Sequence, residues 1–173
     1  LLVSALGEIP KIGKDRLFLQ IMAKTQNELP TLLVFDEAHL LDPEVLTDIR
    51  LLVSGMETNQ NLKIILSGQD PLSHTLKRST HADLVQRINV SYYLRALTRE
   101  QTALYIDSRM RSSGASEKIF EPEAKSLIHD YAHGIPRQIN NMATACLLNA
   151  AARNEQKVTE AMVNLTISET FLP

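Results

Sequence analysis

The chain has 173 residues, 44% of them hydrophobic, with 18 basic and 20 acidic side chains and a formal charge of −2. That length allows a buried core in one domain, or one domain with a small appendage, and the charge balance excludes a strongly basic nucleic-acid-binding surface while leaving room for a local patch. The single Cys146 excludes an internal disulfide framework and points to a reducing compartment, most simply cytoplasm.

No apolar run approaches the roughly 20 residues of a membrane span, and no signal-peptide pattern is present. Aromatic residues make up 5% and Trp is absent, which suits a helical protein packed by alanine and leucine. The chain opens at Leu1-Leu2-Val3 without an initiator Met, so a processed or partial product is expected. Leu1 to Leu6 is short and apolar, compatible with a helix end or a strand.

Gly13-Lys14 invites comparison with a phosphate-binding loop, GxxxxGK(S/T), in which backbone N–H groups cradle phosphate. Here Glu8 stands at the first glycine and Asp15 at the hydroxyl position, so negative charge sits where phosphate belongs. A surface turn leading into a helix is the expectation for this stretch. That helix spans about Lys14 to Asn27, with Leu17, Phe18, Ile21 and Met22 as its apolar stripe and Asp15 favourable near its start.

Asn27 to Pro30 reads as a turn, and Leu32 to Phe35 as a strand. Its continuous apolar character predicts a parallel sheet covered on both faces. Asp36 and Glu37 follow at once, then Ala38-His39. Asp42-Pro43 starts a helix, with Pro at the first helical position, and Val45, Ile49, Leu52, Val53 and Met56 repeat on one face. Gly55 to Gln60 closes it, Leu62 to Leu66 forms a second strand, and Ser67 to Pro71 is a polar turn. Strand, helix, strand makes a β-α-β unit with right-handed crossover expected.

A weaker helical region covers about Leu72 to Arg87. Ile88 to Leu94, rich in β-branched and aromatic side chains, reads as a third strand. A domain boundary is placed after Leu97, giving an α/β unit over 1–97 and an all-helical unit over 98–173. Thr98-Arg99-Glu100-Gln101 matches a capping box, and Ala103, Leu104, Ile106 and Met110 support the helix that follows. Pro122 starts another helix, with Ala124, Leu127, Ile128 and Tyr131 inward, and Gly134 stops it. Pro136 opens a longer helix striped by Ile139, Met142, Ala143, Cys146, Leu147 and Ala150. A last short helix begins at Val158 or Thr159 and runs through Leu165, with Ser168 to Pro173 as tail.

Asp36 and Glu37 are the leading site candidates, because carboxylates at the carboxyl end of a sheet strand lie where open α/β folds bind ligands. A turn-capping Asp-Glu pair or a surface ion pair is the bland alternative. His39 alone reads as a supporting or structural residue rather than a ligand. Ser67 and Gln69 end the neighbouring strand, and Gln69 is the better candidate to orient water or an outer phosphate if the strands are adjacent. Arg87 could neutralise charge developing in phosphoryl transfer, in cis or from a neighbouring subunit; Lys77 and Arg78 are less constrained alternatives. Arg137 lies in the first turn of a helix, where a cation opposes the local dipole and an anionic partner would relieve it. One Cys and five His, including His129 and His133 four apart, give no zinc-ligand pattern, and no GxSxG nucleophile turn is present.

Taken in order, LLVFDEAHLLDPEVLTDIRLL, LKIILSGQD, LVQRINVSYYLRALT and HGIPRQINNMA resemble the AAA+ ATPases, most of all the ExeA/GspA secretion ATPases and the TnsC-like transposition ATPases. The resemblance covers roughly Pro30 through Ala152. It implies the distal part of a parallel-sheet P-loop NTPase core followed by a small helical lid. By the resemblance Asp36 would be the Walker B metal residue and Glu37 the catalytic glutamate. Gln69 would take the sensor-1 role, Arg87 that of an arginine finger, and Arg137 that of sensor 2. Family members carry a phosphate-binding strand and P-loop before this region, and Glu8 to Asp15 does not replace them.

The implied cofactors are ATP and Mg2+ in the intact protein, with none expected on this chain alone, which is expected to be inactive for want of a P-loop. The implied partners are further copies in a homo-oligomer and either secretion machinery or transposition proteins; DNA is not supported by the net charge. A noncatalytic interaction module, or a truncated relic of an ATPase, is the competing expectation.

Overall fold

The computed structural model describes residues 2–26, 30–55 and 61–170. They fall into two compact units, Leu1–Ser91 and Tyr92–Pro173.

In the first unit, α1 (Leu2–Ala5) and α2 (Lys14–Gln26) precede β1 (Thr31–Phe35), α3 (Pro43–Gly55) and β2 (Leu62–Leu66). The strands pair in parallel, Thr31 opposite Leu62 through Phe35 opposite Leu66. Pro43 takes the first helical position of α3, and Val45 and Leu46 donate their N–H groups to the Asp42 carbonyl, closing its first turn. After β2 come α4 (Asp70–Leu76), a 3-10 turn over Ser79–His81 and α5 (Ala82–Val85). The weak helical region expected over Leu72 to Arg87 is therefore three short pieces. The turn expected over Asn27 to Pro30 and the end of the α3 helix beyond Gly55, with Met56, lie largely outside the described residues.

Alternation along the strands decides which face is covered. Ile64 packs in a cluster with Val3, Ile21, Leu52, Leu17 and Phe18, while Phe35, Ile64 and Leu66 join Leu46, Ile49 and Leu84. The opposite positions remain exposed: Leu32 by 55%, Val34 by 56% and Ile65 by 47%. The expectation of a sheet covered on both faces is thus corrected among the described residues, because α2, α3 and α5 all pack on the Ile64 side.

The expected third strand also fails to form. Residues 88–98 take no regular secondary structure, and Val90, Tyr92, Tyr93 and Leu94 are exposed. Strand composition describes fitness for a pleated, half-buried surface. Among the described residues the sheet has β1 and β2 alone, and no ladder reaches this segment.

The loop that imitates a phosphate cradle serves another purpose. Lys14 opens α2 and reaches the Asp48 carboxylate at 3.1 Å and Glu44 at 3.8 Å, both on α3. The Asp48 hydrogen bond holds its pKa above the ordinary lysine value. Lys11 N–H donates to Gln20 Oε1 at 2.9 Å and Gln20 Nε2 donates to the Ile9 carbonyl at 3.0 Å, stitching the loop to α2.

The second unit contains α6 (Arg99–Ser112), α7 (Pro122–Ala132), α8 (Pro136–Ala152) and α9 (Glu160–Thr170), with a 3-10 turn over Glu117–Ile119 before α7. The capping box forms as expected: Gln101 N–H donates to Thr98 Oγ1 at 3.2 Å and Thr98 N–H to Gln101 Oε1 at 2.9 Å. Glu100's own backbone N–H and the Thr98 hydroxyl hold the Glu100 carboxyl below its usual range. Ile106, Met110, Phe120, Ile128, Ile139, Met142, Cys146, Val158 and Val163 form one buried cluster, and burial pushes the Cys146 thiol up. The expected tail is corrected in part, since α9 continues through Ser168 to Thr170.

The helix supported by Ala103, Leu104, Ile106 and Met110 forms as α6; Leu104 is exposed on it, and Thr102 is buried. Its hydroxyl lies 2.9 Å from His129 Nδ1, which meets the polar requirement of burial. Ile128→Ala in this cluster is expected to lower stability by about 2–5 kcal/mol in chemical denaturation, whereas Leu104→Ala changes it by less than about 0.5 kcal/mol.

Candidate functional site

β1 ends at Phe35, and the chain must leave the sheet over the next two residues. Asp36 Oδ1 accepts the Glu37 N–H at 2.9 Å, which fixes that carboxylate against the turn. Glu37 adopts the left-handed conformation, φ 51° and ψ 36°, and leads directly into the 3-10 turn Ala38–Leu40. A non-glycine residue there is strained by about 1–3 kcal/mol, and such strain concentrates at functional sites. Both carboxylates are exposed at the strand's carboxyl end.

The adjacent strand end is tied to this turn through the backbone. Ser67 N–H donates to the Phe35 carbonyl at 2.9 Å, and Ala38 N–H donates to the Ser67 carbonyl at 2.7 Å. The parallel ladder thus extends past the strands and brings the loop at 67–69 against the loop at 36–40. Gly68 makes that approach feasible: a Cβ there would stand 3.1 Å from His39 N and from Leu72 Cδ2.

Gln69 caps α4 through its extended backbone without a side-chain cap hydrogen bond, and its side chain is exposed. Its N–H donates to His39 Nδ1 at 3.4 Å. The same Nδ1 lies 3.3 Å from Glu37 Oε2. Glu37, His39 and Gln69 therefore form one connected group, with Asp36 joined through the Glu37 backbone. His39, which the sequence marks only as a supporting residue, touches both Glu37 and the Gln69 loop, because the turn after Glu37 folds back.

Arg87 follows α5, its N–H donating to the Leu84 carbonyl at 3.1 Å, and its side chain is exposed. Arg137 belongs to the second unit, as the residue after Pro136 in the first turn of α8. It is exposed, and no hydrogen bond or ion pair of its side chain is formed among the described residues. Its place is set by a tight backbone contact: Leu97 N–H donates to the Gly134 carbonyl at 2.9 Å. Gly134 has φ 71°, and a Cβ there would collide with the Leu97 carbonyl.

Among the described residues no group of three or more His, Cys, Asp or Glu side chains is placed to hold a metal ion. A single carboxylate such as exposed Asp36 has the chemistry to contribute to a magnesium shell that phosphate oxygens and water complete. The 7–15 loop does not fit a triphosphate, because Glu8 and Asp15 put negative charge where phosphate would sit; Lys14 faces Asp48 and Glu44.

An AAA domain family model matches residues 1–76. Over 141 residues, 80% of this chain, the sequence is 33% identical to the General secretion pathway protein A of Aeromonas hydrophila, and the match is 26% of that relative's length. The fold resembles the Thermotoga maritima RuvB Holliday junction branch migration motor, with a TM-score of 0.66 and 16% identity, covering 96% of this chain and 64% of that one. At that identity the likeness concerns the fold alone.

The left-handed strain at Glu37 makes a checkable prediction. Glu37→Gly should keep or raise the unfolding free energy, by up to about 1 kcal/mol, since the relieved strain outweighs the added freedom of the unfolded chain. A loss above about 1 kcal/mol in chemical denaturation would contradict that geometry.

Proposed function

We propose that this chain, which belongs to the AAA+ ATPase superfamily, supplies the metal-facing and water-facing carboxylates of an ATP-hydrolysing motor. The observation that carries this reading is the Asp36–Glu37 pair at the carboxyl end of β1, with Glu37 turned out of the strand and connected to the Gln69 loop.

In this reading Asp36 would hold Mg2+, which when bound would supply positive charge to offset that of phosphate oxygens. Glu37 accepts a hydrogen bond from the attacking water and orients it. Gln69, at the end of the adjacent strand, contributes its exposed amide to the same rim. Arg87 serves as the cation offered to a neighbouring copy. Arg137 places a guanidinium where an anion relieves its conflict with the α8 dipole. The phosphates would be held by backbone other than the 7–15 loop.

The 33% identity to a general secretion pathway protein favours secretion as the process; a homo-oligomer as the working form is what the resemblance to AAA+ ATPases implies. No described helix is long and apolar enough to cross a membrane. A second reading, a noncatalytic interaction module, draws on the acidic residues Glu8 and Asp15 that stand in the 7–15 loop where a phosphate-binding loop has glycine and a hydroxyl.

Turnover of ATP by the full-length protein separates the two. Glu37→Gln is expected to lower kcat by about 100-fold or more while nucleotide binding persists. Unchanged turnover in that variant would remove Glu37 from the mechanism.

A further inference from the structure

We infer that the outward face of α2 and the loop before it form a docking groove for an acidic, apolar segment of a partner protein. The groove shares no residue with the carboxylate turn at 36–39.

α2 carries two stripes. Leu17, Phe18, Ile21 and Met22 pack inward with Val3 and Leu52. Arg16, Leu19, Gln20, Ala23 and Lys24 recur at three- and four-residue steps on the opposite side. That outward stripe is not simply polar, since Leu19 is 63% exposed and Ala23 is exposed beside it. With the preceding loop it encloses an open groove of about 810 Å³, lined by Glu8, Lys11, Arg16, Leu19, Ala23 and Lys24. Gln20 holds the loop in shape, taking the Lys11 N–H at 2.9 Å and donating to the Ile9 carbonyl at 3.0 Å. Docking therefore orders little that is not already fixed, which lowers its cost. Ile9 and Ile12, on either side of Lys11 in sequence, are 87% and 92% exposed and extend the apolar surface.

Charge decides what such a surface takes. Three cations line the groove against one carboxylate. Lys24 Nζ lies 3.5 Å from Glu8 Oε1, so that pair is matched. The Lys11 and Arg16 side chains form no hydrogen bond or ion pair among the described residues. Carboxylates of a partner segment would meet these two, while its apolar side chains cover Leu19 and Ala23. From Arg16 to Lys24 the helix rises about 12 Å, the length of two helical turns or about four extended residues. A continuous phosphate backbone fits less well, because Glu8 stands in the groove and Asp15 precedes Arg16. A flat lipid headgroup surface leaves a concave lining uncovered.

The test is selection of a random peptide library displayed on phage against the full-length protein, with Lys11→Glu/Arg16→Glu, Lys11→Gln/Arg16→Gln and Leu19→Asp variants alongside. The wild type is expected to enrich peptides in which Asp or Glu alternates with Leu, Ile or Phe. Synthetic copies of those peptides should bind the charge-reversed variant at least about tenfold more weakly. Leu19→Asp should weaken them likewise, and added salt should weaken binding to the wild type. Enrichment of peptides without acidic residues would overturn the inference, as would equal affinity for the wild type and the charge-reversed variant. No enriched peptide, with binding to duplex DNA or phosphatidylserine vesicles lost in that variant, would assign the groove to a polyanion or a membrane instead. Should charge reversal unfold α2, the glutamine variant decides in the same way, with a smaller loss expected.

Discussion

The backbone hydrogen bond from Ala38 N–H to the Ser67 carbonyl, 2.7 Å long, is the constraint on which the site depends. Asp36 and Glu37 leave β1 without ladder partners, and a turn this exposed would ordinarily sample many conformations. The bond to Ser67 fixes the far side of the turn, while the strand fixes the near side. Between those two anchors Glu37 has little choice but the left-handed region, and its side chain is directed out of the sheet's end. The strain of about 1–3 kcal/mol is offset by the hydrogen bonds around it. Gly68 belongs to the same device, since only a residue without Cβ lets the two loops close without displacement.

The second unit relies on the same kind of economy. Gly134 passes so close to Leu97 that a side chain cannot be accommodated, and the resulting bend sets the first turn of α8. Arg137 is thereby fixed on an exposed turn with its charge opposed to the helix dipole. In both units a functional candidate sits within three residues of a backbone constraint, on an element whose core is otherwise ordinary apolar packing.

Much of this framework is written locally. Leu62 to Leu66 forms a strand as its β-branched run requires, Asp42-Pro43 sets the start of α3, and Thr98 with Gln101 closes a capping box. The features that escape the sequence are non-local or against type. Left-handed geometry is signalled by Gly or Asn, so Glu37 and His133 carry no warning of it. Ile88 to Leu94 has strand chemistry, yet a strand exists only through a neighbour. Thr102 is interior because it shares a helix face with Ile106 and Met110, and its hydroxyl meets His129 across 27 residues. The contact of His39 Nδ1 with the Gln69 backbone amide spans 30 residues, which spacing along the chain does not disclose.

Amide hydrogen exchange tests the central constraint most directly. If the Ala38–Ser67 bond locks the carboxylate turn to the sheet, the Ala38 amide exchanges with the same opening free energy as the β1 and β2 ladder amides. Exchange of Ala38 at the rate of an unprotected loop, with the ladder still protected, would contradict the account.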